Sequence, residues 1–148
     1  MKKIAIAASA VLAVVLLSGF RGGGWGWGAH RDPERIKQII TWKVDDKLED
    51  IHATDAQKQT VHAVKDRLFE EGKQLAADHQ ATRQEVLTQL ESDTPDAQKL
   101  HSLVDARIDA VRAFAHKVVD AALEVHRALT PEQRKQLATE VREKMDSH

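Results

Sequence analysis

Four stretches of this chain carry apolar side chains at helical rather than strand spacing. Ile36, Ile40, Val44, Leu48 and Ile51 share one face of the first. The second sets Val61, Val64, Leu68, Leu75, Val86 and Leu90 on a stripe, with a weaker middle that holds Glu71, Gly72, Asp78 and His79. The third is the most regular. Leu100, Val104, Ile108, Val111, Ala115, Val118, Ala122, Val125 and Leu129 recur at coiled-coil spacing, and a second row of Leu103, Ala110, Phe114, Ala121 and Ala128 widens that face. The last stretch is short, with Leu137, Val141 and Met145. No segment alternates with period two, so the pattern predicts an all-α chain of four helices.

Helix starts are marked in the sequence. Asp32-Pro33, Thr94-Pro95 and Thr130-Pro131 each pair an N-cap residue with a proline whose fixed φ suits the first helical turn. Thr54 marks a further start. The chain therefore parses into helices over 33–50, 55–90, 95–128 and 131–146. Two of the starts share a pattern: Ala53-Thr54-Asp55-Ala56-Gln57 and Leu129-Thr130-Pro131-Glu132-Gln133. Each is a capping box, in which the Thr hydroxyl accepts from the Gln amide and the Gln side chain reaches back to the Thr amide. Such a cap stabilises its helix by about 1 kcal/mol. Thr54, Gln57, Thr130 and Gln133 have no reactivity of their own.

The two central helices would each run about 50 Å at 1.5 Å per residue, which predicts a long central antiparallel hairpin. Two short helices cannot cover both sides of so long an apolar face. Either a second copy packs on it or it stays open as an interaction surface. A closed homodimer is the default expectation.

The N-terminus changes the picture of where such a chain works. Met1-Lys2-Lys3 followed by an apolar run from Ile4 to Leu17 has the form of a secretory signal peptide over 1–20. Its poorly defined cleavage site leaves an uncleaved inner-membrane anchor as the alternative. Residues 21–32 form a Gly- and Trp-rich flexible leader with Trp25 and Trp27, and 33–148 is the helical domain. The chain has no Cys, which removes disulfides, Cys-ligated metals and lipoprotein modification. Without its first 20 residues it keeps 20 basic against 23 acidic side chains, net −3. That balance argues against nucleic acid as a partner. An exported, highly charged, Cys-free helical chain suits a bacterial periplasm.

Histidine is the remaining source of chemistry. His62 with Asp66, and His116 with Asp120, stand one helical turn apart, a usable ligand spacing. A hairpin turning near Ser92 would bring His62 opposite Ala122, one turn from His126. His62, His116, Asp120 and His126 are thus the candidate metal ligands, with zinc or another divalent transition metal as the ion. No other cofactor is implied. There is no Ser or Cys nucleophile motif and no Gly-rich strand-to-helix loop, so no catalysis is expected.

A signal peptide, a Gly-rich leader and four helices bearing two Leu-Thr-x-x-Gln-type boxes resemble the Spy/CpxP family of periplasmic stress proteins. The stretch from Arg107 to Lys117, leading into Leu129-Thr130-Pro131-Glu132-Gln133-Arg134, is particularly similar. The likeness spans about residues 30 to 145, and the first box departs from it with Ala53 where Leu is usual. The resemblance implies a homodimeric, cradle-shaped protein acting as an ATP-independent chaperone, a holdase for unfolded or misfolded envelope proteins. One branch restrains an envelope-stress sensor kinase, and a related branch senses or binds heavy metals. A membrane sensor kinase or anti-sigma factor is therefore an alternative partner, and heavy-metal sensing or signalling modulation an alternative function. The metal-sensing branch carries His-x-x-x-Met just before the second box. The matching positions here are Ala121 and Val125, neither a metal ligand.

Overall fold

The computed structural model describes residues 32–146, which form four helices: α1 (Pro33–Asp50), α2 (Asp55–Glu91), α3 (Ala97–Ala128) and α4 (Pro131–Asp146). The all-α expectation holds throughout. The signal peptide and the leader up to Arg31, with Trp25 and Trp27, lie outside the described residues. Among the described residues, no helix is long and apolar enough to cross a membrane.

Each helix begins where a side chain can satisfy its free amides. Asp32 accepts from the Glu34 amide at 3.0 Å, and Pro33 follows it into the first turn. Thr54 caps α2 and Thr130 caps α4 through their boxes. The start of α3 is a correction: its N-cap is Asp96, not Thr94. The Asp96 carboxylate accepts from the Lys99 amide at 3.0 Å, while the Asp96 amide donates to the Gln89 side chain at 3.0 Å. Asp caps as well as Thr, and from position 96 it also ties the turn back to α2. Pro95 is left just outside the helix.

The end of α1 is fixed by a left-handed residue. His52 has φ 52°, its amide donates to Glu49 O at 2.9 Å, and the Ala53 amide donates to Leu48 O at 2.9 Å. This is the hydrogen-bond pattern of a Schellman cap, at a position that usually takes Gly.

The core sits at one end of the molecule. Val44, Leu48 and Ile51 of α1 meet Val61, Val64 and Leu68 of α2, Ala121 and Val125 of α3 with Leu129 just beyond it, and Leu137 of α4. Lys65 is buried among them, and its ammonium donates to Thr41 Oγ1 at 2.8 Å. Away from this junction α2 and α3 continue alone as an antiparallel arm. Its register is set by Arg67 with Glu124 (2.6 Å), Glu71 with Lys117 (3.0 Å) and Glu85 with Lys99.

Candidate functional site

Two regions combine chemistry with accessibility: the junction where the boxes lie, and the outer surface of the arm. At the junction the boxes do more than cap. Within each, the Thr amide donates to its Gln Oε1 at 2.9 Å and the Gln amide donates to the Thr Oγ1 at 3.3 Å. The two glutamines then meet. Gln57 Nε2 donates to Gln133 Oε1 at 2.9 Å, and Gln133 Nε2 donates to Gln57 Oε1 at 3.1 Å. Their second amide protons go to the helix ends they face: Gln57 to Ala128 O at 2.9 Å and Gln133 to Ile51 O at 3.2 Å. Each side-chain amide therefore uses both donors and both acceptor sites. Leu129, the apolar member of the second box, is buried in the core beside them.

The same ring of contacts fastens α4 to α1. Gln136 donates to Asp50 O at 3.0 Å, and Lys47 bridges Asp50 at 2.7 Å and Glu140 at 3.0 Å. Hydrogen bonds from Lys47 to Asp50 and then Glu140 hold its ammonium above the usual lysine value. Spacing revealed each cap but not their meeting. No local pattern reports a contact between positions 57 and 133.

The arm presents the second region. Half-buried Leu75, His79, Thr82 and Val86 of α2 face half-buried Leu100, Leu103, Arg107, Ala110 and Phe114 of α3. The expected seam of α3 is thereby corrected along the arm: the second row packs inward, while Val104, Ile108 and Ala115 of the first row face solvent. Val104 is 55% exposed, Ile108 51% and Val119 56%, and Leu123 continues the line toward the junction. Leu90 at the tip of α2 is 66% exposed. In this stretch α3 is apolar on both sides, and α2 covers only one. The clue lay in the two rows of the sequence, too many apolar positions for a single contact. At the other end Met145 is also exposed, leaving Leu137 as the buried anchor of α4.

The candidate ligands do not gather. His62 Nε2 lies 2.8 Å from Asp45 Oδ1 of α1, whereas His126 lies against the Arg134 guanidinium at 3.2 Å. Each is thus engaged away from the other. His116 and Asp120 stay on the exposed side of α3. Ala121 and Val125 are fully buried core residues. Among the described residues, no three His, Asp or Glu side chains stand close enough to hold a metal ion. The described part of one chain therefore does not fit a resident metal.

An all-α protein with two interlocked capping boxes at the base of an open helical hairpin is the class defined here. The heavy-metal resistance family model matches residues 8–136, and the chain belongs to that family, within the Spy/CpxP-like group of two-box proteins. No curated protein and no solved structure gives a significant match.

Proposed function

We propose that this protein acts by holding other proteins: an ATP-independent, periplasmic holdase of the Spy/CpxP kind that protects envelope proteins under stress, including stress from heavy metals. The observation that carries this reading is the open apolar line on α3, Val104 to Leu123, with Asp105, Asp109, Arg112 and Asp120 exposed around it. Such a surface offers non-directional contacts to unfolded chains, while charge beside it keeps binding weak enough for release. A second copy covering part of this line would give the expected homodimer. Its test is aggregation of a chemically denatured model protein, without nucleotide. Suppression at a near-stoichiometric ratio is the expected result, and no suppression at several-fold excess rejects the reading.

The family match favours a second reading, a metal-responsive sensor or modulator docking on a membrane kinase or anti-sigma factor. It predicts calorimetric uptake of zinc, nickel or copper that raises the melting temperature. Substituting His116, exposed one helical turn from Asp120, should weaken that uptake, whereas His62 and His126, engaged with Asp45 and Arg134, should matter less. A titration with no heat and no shift in melting rejects it.

A further inference from the structure

Midway along the arm the seam turns polar in a way that neither function uses. His79 is half-buried in α2, and its Nδ1 is buried without a hydrogen-bond partner. Across the seam Arg107 of α3 donates to Leu75 O at 3.1 Å. The ion-pair and ring contacts of α1 with α2 reach no further than Asp66 and Phe69, so the charges around His79 come from α2 and α3. They are Arg83 on its own helix and Arg107 opposite, both cations. The nearby carboxylates are turned to other partners: Glu71 to Lys117, Glu85 to Lys99, and Asp78 to the Gln74 amide.

We propose that His79 is an acid-sensitive pin of the arm: a proton on its ring opens the α2–α3 seam and bares Leu75, Leu103, Ala110 and Phe114. As a source of extra client surface this rests on the holdase reading; the opening itself does not. Burial first, then Arg107 and Arg83, hold the ring below its ordinary value of 6.5. In an open arm the ring leaves its burial and Arg107 behind, keeps only Arg83 on its own helix, and titrates nearer that value. At pH 8 both forms are neutral and the closed arm carries no penalty. As pH falls through 6.5 the open form takes up a proton that the closed form resists. The equilibrium then shifts toward opening by up to about tenfold per pH unit, until the closed form itself titrates. The arm suits such a device because its seam is only half-buried, the low-stability condition in which local opening occurs.

Hydrogen exchange on the full-length protein at pH 7.5 and 5.5, corrected for intrinsic exchange, tests the pin. Amides of 73–91 and 97–114 should lose more protection on acidification than those of 57–68 and 121–129, by up to about tenfold. His79→Leu, neutral at both pH values, should keep arm protection at pH 5.5 within about twofold of its pH 7.5 level; His79→Gln gives the same readout if the Leu variant fails to fold. Equal loss at both ends of the molecule, or a loss undiminished in the variants, overturns the proposal. Aggregation suppression at the same two pH values separates the readings. An arm that opens without gain in suppression keeps the pin and counts against the holdase.

Discussion

The junction and the arm are built from the same two helices, yet they are opposite kinds of structure. At the junction α2 and α3 are covered by α1 and α4, and the shared seam is fully apolar: Val61, Val64 and Leu68 against Ala121 and Val125. Two glutamine side chains close it with every donor and acceptor satisfied. Along the arm the seam mixes Leu75 and Leu103 with His79, Thr82 and Arg107, and the outer face of α3 carries exposed Val104 and Ile108. Buried apolar area dominates stability, so the junction holds the fold and the arm remains adjustable. Under the proposed holdase function, the surface that meets varied partners lies at this adjustable end.

That contrast can be broken most strongly by cavity mutations. Leu48→Ala, at a fully buried junction position, should destabilise by about 3 kcal/mol, and Leu75→Ala in the arm seam by about 1 kcal/mol. Urea denaturation of both variants checks this. Equal losses would mean that the arm is as tightly packed as the junction.

The glutamine ring comes next. Gln57→Ala and Gln133→Ala should each cost about 2 kcal/mol, because each removes the return half of its capping box and strands the other side-chain amide. The double variant should cost about 1 kcal/mol less than the two together, since the second change removes a partner already lost. Strict additivity would mean that the boxes act as two independent caps. Smaller still, His52→Gly should stabilise by about 0.5–1 kcal/mol by relieving a left-handed, non-glycine position at the end of α1. Thermal melts read this directly, and a neutral or negative shift would assign His52 a role beyond the turn.

The smallest effects are the pH limits of the exposed ties. Hydrogen bonding to Lys99 holds Glu85 below its ordinary value of 4.5. The arm-tip contact is therefore intact above pH 4.5 and lost as pH falls through the lowered value. Lys47 is raised above 10.5, so its bridge between α1 and α4 is intact below that pH and lost as pH rises through the raised value. Melts of Glu85→Gln below pH 4.5 and Lys47→Met above pH 10.5 should converge on those of the parent.

Much of the fold was legible because it is written in local chemistry. Thr54 with Gln57, Thr130 with Gln133, and Asp32-Pro33 mark helix starts through contacts within one turn, and the structure keeps them. The Thr94-Pro95 start missed by two residues because Asp96 competes as a cap and gains Gln89 from the preceding helix. What periodicity could not decide was direction. Leu103 and Val104 both lie on an apolar face of α3, and only the docked position of α2 turns Leu103 inward and Val104 out. The same limit applies to the site. Gln57 reaches Gln133, and His62 reaches Asp45 rather than His126, through tertiary placement that no spacing rule contains.

The proposed function places partner binding on the exposed line of α3 along the arm rather than at the junction. Val104→Asp with Ile108→Asp tests it most directly, because both positions are more than half exposed and neither supports the core. Aggregation suppression by this variant is compared with that of the parent at matched folded fraction. The predicted result is a loss of at least about fivefold in suppression, with junction stability changed by less than about 0.5 kcal/mol. Undiminished suppression in a fully folded variant would contradict it.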